Sequence, residues 1–282
     1  MRRPATGWRA AGVALAALTF AGCAPLAPAG PPALEGPDVA SRFALRLHER
    51  RERAAVVEGD YAAWLRRSGD KGLPGITVRT RLVAPDAFRL RVDALIGSAV
   101  LAQAHRDTLA VEAGALGMSA ITDAAGDRSP RQNIGRWLWR VLAADWSPPE
   151  GAWNRGTQAD SSWVVRWYED GDSLTLAVRP DGLPAAVAIR PPGGGTVRIA
   201  YERWAPQGDV RWPDRIVATD GSGRLHVRLQ AQALSLRASG AGVSPVVRVP
   251  AGAQRFTREE LLGLIGRYVL GGAAVDTSLT SP

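Results

Sequence analysis

Apolar and polar residues alternate with a period of two over much of this 282-residue chain, and the period lengthens to that of a helix in three places. From Asp38, a suitable N-cap, Ala40, Phe43, Ala44 and Leu47 recur at helical spacing. They predict a first helix from 38 to the early 50s, with the charged cluster His48 to Arg53 towards solvent. Residues 54–67 supply an opening strand. In 76–83, Ile76, Val78, Thr80 and Leu82 share one face, and Thr77, Arg79 and Arg81 share the other. After the Pro85-Asp86 turn, Phe88, Leu90 and Val92 alternate with Arg89, Arg91 and Asp93. One wet face and one apolar face are the mark of antiparallel strands covering a core on one side. Residues 98–105 and 108–113 continue the series.

Between 130 and 144, Ile134, Trp137, Leu138, Val141 and Leu142 form a one-sided helical stripe. Trp139 lies off it, between Arg136 and Arg140, and Pro148-Pro149 ends the segment. Strands then resume around Trp163–Trp167, Leu174–Val178, Val187–Ile189, Val197–Tyr201, 210–219 and 224–236. Turn signals separate them, among them Asp170-Gly171, Gly193-Gly194-Gly195 and Gly221-Ser222-Gly223. In the last of these strands Leu225, Val227 and Leu229 are out of phase with Leu234 and Leu236, which predicts a bulge near Ala231–Ala233. Thr257-Arg258-Glu259-Glu260 is a capping box for a closing helix that buries Leu261, Leu262, Ile265 and Val269. The tail from Gly271 is small and polar. The pattern predicts a mainly β (α+β) chain, a single antiparallel sheet of about eleven strands with covering helices.

The first 22 residues have a different texture. Arg2, Arg3 and Arg9 precede an apolar run ending at Ala21-Gly22, followed by Cys23, the sole cysteine. A basic start, an apolar stretch of roughly a dozen residues and small residues before the cut are the parts of an export signal. With Phe20-Ala21-Gly22-Cys23 as lipobox, the segment resembles a bacterial lipoprotein signal. That resemblance implies removal of 1–22 and acylation of Cys23, the chain's one covalent lipid, with no other cofactor. Residues 23–37 then form a Pro/Ala-rich tether, 38–270 the β domain and 271–282 a flexible tail. Loss of 1–22 removes three arginines and no acidic residue, taking the formal charge from +8 to +5. The arginines alternate with apolar residues and form no blocks, which argues against nucleic-acid binding.

The sequence lacks the common hydrolase, phosphate-loop, dinucleotide and zinc motifs, and His48, His105 and His226 lie far apart. Ser68-Gly69-Asp70-Lys71 has the S-x-x-K spacing, but its setting between two strands makes it a hairpin turn. The chain therefore reads as a non-enzyme. Tryptophan stands out: Trp137, Trp139, Trp146 and Trp153 cluster around the middle helix. Core packing suits Trp137. Trp139 and Trp146 are harder to bury with Arg136, Arg140 and Asp145 nearby, and fit the mouth of an apolar cavity or a membrane contact.

Acylated cysteine, leading helix, one-sided meander and a helix inserted halfway resemble the LolA/LolB lipoprotein-localisation factors and related outer-membrane lipoproteins. Leu73-Pro74-Gly75-Ile76-Thr77-Val78 and Pro85-Asp86-Ala87-Phe88-Arg89-Leu90 resemble the family's second and third strands, and Val246–Gly252 its late strand ending in Pro-x-Gly. The resemblance implies an incomplete barrel whose apolar hollow takes acyl chains of lipids or lipoproteins without covalent chemistry. Val78, Leu82, Leu90 and Val92 would line it, with Trp137, Leu138 and Val141 as the lid. Ala24 after the cysteine implies the outer membrane, facing the periplasm. A structural or assembly partner in an envelope complex, using the same fold, stays open beside the carrier, and an exported hydrolase is the remote third.

Overall fold

Period-two alternation becomes backbone pairing in a computed structural model, which describes residues 37–67, 75–93, 99–105, 108–114, 117–123, 133–153, 156–159, 162–223, 225–238, 247–257 and 260. Cys23, the 68–71 motif, Leu261, Leu262, Ile265 and Val269 lie outside them. After helix α1 (Pro37–Arg53) come β1 (Val56–Arg67), β2 (Ile76–Val83), β3 (Ala87–Asp93), β4 (Ala99–His105), β5 (Thr108–Ala113) and β6 (Met118–Asp123). Helices α2 (Ile134–Ala143) and α3 (Glu150–Trp153) interrupt the strands. The second series is β7 (Thr157–Ala159), β8 (Ser162–Glu169), β9 (Asp172–Val178), β10 (Pro184–Arg190), β11 (Val197–Gln207), β12 (Val210–Asp220) and β13 (Leu225–Arg237), with a two-residue β14 (Gln254–Arg255).

Among the described residues, all fourteen strands join one open sheet in the order β14-β6-β5-β4-β3-β2-β1-β13-β12-β11-β10-β9-β8-β7. Every pairing is antiparallel except β14 with β6. The sheet thus has more strands than the eleven expected. The additions are β6, β7 and β14, segments too short or too weakly alternating to stand out. The late strand also shifts: residues 247–250 are irregular, and β14 follows the Ala251-Gly252 turn.

Two meanders meet at β1 and β13. There Asp60 faces Ala233 while Tyr61 faces Ala231, so Gln232 is the extra residue of a bulge, where the phase change placed it. Gly59 sits at this crowded point, since a Cβ on it would fall 1.8 Å from the Ala233 carbonyl oxygen. The Asp170-Gly171 turn has positive φ at both residues (51° and 83°), the geometry of a two-residue type I′ hairpin.

The helices cover the sheet's apolar face. Helix α1 packs against β8, β9 and β12 through Val39, Phe43 and Leu47, while Ala44 is exposed. Helix α2 packs against β3 and β4 and also against β12. Five strand spacings, about 24 Å, separate β4 from β12, whereas ten helical residues span about 15 Å. One helix touches both because the sheet curls round it.

Candidate functional site

The site is the concave face beneath α2. Asn133 caps the helix by accepting a 2.8 Å hydrogen bond from the Arg136 amide. Gly135 lets its first turn lie on the β2–β3 turn, since a Cβ there would fall 1.7 Å from the Asp86 carbonyl oxygen. The helix ends on Ala144 in the left-handed region (φ 52°, ψ 40°). Its underside presents Leu138, Val141 and Leu142, buried with Leu82, Leu90 and Val92 in one core. Val78 is 8% exposed, Leu82 1%, Leu90 2%, Val92 2%, Leu138 2% and Val141 5%. Trp137 is half-buried and packs against the same core. The structure brings the seven expected lining residues into one cluster, and their small exposures show this face covered by the chain's own side chains.

Aromatic residues supply much of that filling. Trp212 donates its indole N–H to the Tyr61 hydroxyl at 3.1 Å and meets Trp139 edge-on at 6.3 Å. Trp139 donates to Asp145 Oδ2 at 3.0 Å, and Arg51 grips the same carboxylate at 2.6 and 3.1 Å. On the other side Trp146 meets Trp137 edge-on at 5.6 Å and donates to the Tyr201 hydroxyl at 2.5 Å. Tyr201 donates onward to the Val141 carbonyl at 3.0 Å. Burial pushes the Tyr61 and Tyr201 hydroxyls well above their usual range, so both stay protonated donors at neutral pH.

These bonds correct the expectation for Trp139 and Trp146. Their exposures are 4% and 0%, so neither forms a cavity mouth or a membrane contact. The polar neighbours that argued against burial enable it: Asp145 lies past the helix end and turns back to accept from Trp139. A buried indole needs one acceptor and each has it.

Arg50 is the second correction. Assigned to the solvent side, it is 3% exposed, because residue 50 continues the Val39, Phe43, Leu47 stripe. That i+3 step from Leu47 was legible in the sequence, but its charge hid it. Its guanidinium lies over Trp204, 5.2 Å from the ring centre, and Nη2 donates to the Ala144 carbonyl at 3.4 Å. Burial lowers its pKa to about 10, partly opposed by the charge of Asp145. On the rim, Arg140 holds Glu169 at 2.7 Å, and Trp167 donates to the same carboxylate at 3.4 Å. Burial works against the charged form of Glu169, but Arg140 outweighs it and the carboxyl titrates below its ordinary value.

Among the described residues no group of three or more His, Cys, Asp and Glu could hold a metal ion. The three histidines are dispersed, with His48 exposed and 3.1 Å from Glu52. No helix of the described residues is long and apolar enough to cross a membrane.

No protein-family model matches the chain, and no curated protein does. Solved structures do match. A LolA-superfamily protein of Nitrosomonas europaea superposes with a TM-score of 0.52 over 72% of this chain and 94% of its own, at 12% identity. The chain has a LolA-type fold. A DUF1329-family protein of Desulfovibrio piger is similar over 73% of this chain and 95% of its own, with a TM-score of 0.47 and 10% identity. Within the LolA-type fold, α2 is the element inserted between the two meanders, and the concave face it covers is the candidate site.

Proposed function

We propose that this protein is a lipid-anchored lipoprotein of the outer membrane that takes acyl chains of lipids or lipoproteins onto its concave face and hands them on without covalent change. The observation that carries this reading is α2: one short helix, fixed at its ends by discrete contacts, covers an aliphatic sheet face. Lifting it exposes Leu138, Trp139, Val141 and Leu142, at about 1.5–3 kcal/mol each. A sixteen-carbon chain in their place returns about 0.8 kcal/mol per buried methylene, roughly 10 kcal/mol in all. Exchange is therefore within reach of the ligand's own burial. Transfer needs only tighter binding here than at the donor. Cys23 would hold the protein at the membrane through its acyl groups, facing the periplasm, at the head of the Pro/Ala-rich segment 23–37.

The filled interior favours a second reading. Phe43 and Trp146 at 0%, with Tyr61 and Trp212 at 1%, leave the core closed, as in a scaffold that binds another envelope protein with its outside. Dibromopalmitate separates the two, because bromine quenches tryptophan on contact. A carrier shows saturable quenching of the buried indoles and copurifies with acylated lipid or lipoprotein. Unquenched fluorescence at saturating dibromopalmitate would sink the carrier and leave the scaffold.

A further inference from the structure

The concave face contains a charged group that no contact in the fold fully satisfies. Arg50 is 3% exposed, yet among the described residues its Nε and Nη1 meet no hydrogen-bond acceptor. A guanidinium carries five N–H donors and cannot shed its charge in ordinary conditions. Burying one with donors unpaired is costly, so such groups are normally held by fixed oxygens. The nearest carboxylate does not serve: Asp145 has its oxygens engaged by Arg51 and Trp139. It contributes charge without contact. The surroundings nonetheless hold a cation in place, with the Trp204 ring on one side and the carboxyl end of α2, through Ala144, on another.

We propose that Arg50 anchors the oxyanion of an anionic acyl ligand, a carboxylate or a phosphate, whose tail lies along the concave face beneath α2. This rests on the acyl-binding reading and adds to it the chemistry of the headgroup. A planar guanidinium with free N–H groups suits an oxyanion with several acceptor oxygens, which a lysine would meet only as a point charge. The position also fits an amphiphile. Arg50 stands at the carboxyl end of α2, and α2 packs on β3, whose Leu90 and Val92 share one core with Leu138 and Val141. The headgroup occupies the polar end of the face and the tail its aliphatic length.

Binding of palmitate, palmitoyl lysophosphatidate and methyl palmitate to the purified protein, read by displacement of a fluorescent acyl probe, tests this. At least one of the two anions should bind ten-fold or more tightly than the ester, and the tighter one identifies the headgroup. Arg50→Met should erase the margin while leaving ester binding within two-fold. Equal binding of both anions and the ester overturns the anchor and leaves acyl binding standing. A margin that survives in Arg50→Met also overturns it. Failure of all three to bind overturns both. If Arg50→Met does not fold, the tighter-binding anion on the wild-type protein decides, followed by ¹³C NMR of carboxyl-labelled palmitate or by ³¹P NMR of palmitoyl lysophosphatidate: beside Arg50 its headgroup titrates below the value of the free ligand, and an unshifted or raised titration of that anion rejects the site.

Discussion

Trp146 donates its indole N–H to the hydroxyl of Tyr201, 55 residues later in the chain and 2.5 Å away, inside the core. Because Tyr201 donates its own O–H to the Val141 carbonyl, a single hydroxyl ties β11 to both α2 and the segment after it. Tyr201→Phe leaves the indole N–H buried without an acceptor, at a cost of about 1–3 kcal/mol. Urea denaturation checks this. Trp146→Phe should cost less in the Tyr201→Phe chain than in the wild type, because the indole N–H it removes has already lost its acceptor there, and a double-mutant cycle reads that coupling.

Stability should weaken in acid through Glu169. Its carboxyl has a lower pKa in the folded state than the ordinary 4.5. The stabilisation is therefore complete above pH 4.5 and is lost as pH falls through the folded value. The urea midpoint of the wild type should decline in that window. Glu169→Gln should start lower at neutral pH and show a shallower acid limb. An unchanged limb would assign the acid sensitivity to other carboxylates.

Two glycine substitutions should act in opposite directions. Gly135→Ala drives a methyl group into the Asp86 carbonyl and should destabilise by about 1–3 kcal/mol or more as α2 is pushed off the β2–β3 turn. Gly151→Ala, with no atom within 4 Å of the new Cβ and a helical position in α3, should be neutral or stabilise by up to about 1 kcal/mol. Thermal melts of the two variants side by side measure the contrast.

Membrane association should depend on one atom. Cys23→Ala should remove metabolic labelling by palmitate and move the protein from the membrane to the soluble fraction. Persistent labelling would place acylation elsewhere.

Much of the architecture could be read from the sequence because each signal was local. The phase slip between Leu229 and Leu234 became the bulge at Gln232. The Thr257–Glu260 capping box appears with both its reciprocal bonds, at 2.8 and 3.2 Å. The site was less legible because its polar groups find partners across the fold. Nothing near Trp139 in the sequence says that Asp145 will turn back to accept from it. Arg50 shows the opposite case: its spacing from Leu47 points inward while its charge points to solvent, and the position wins.

The seam at β1 and β13 bears on how the sheet assembles. Each meander is built from neighbours in sequence, but β1 finds its second partner only with residues 225–237. In a chain made from its amino end, β1 to β6 and α2 are complete while one edge of β1 is still bare. Edges of that kind invite pairing with other chains, and contacts this distant in sequence form slowly. The second meander must therefore dock before that exposed edge meets a foreign strand, and the two join where Gly59 is pressed against Ala233.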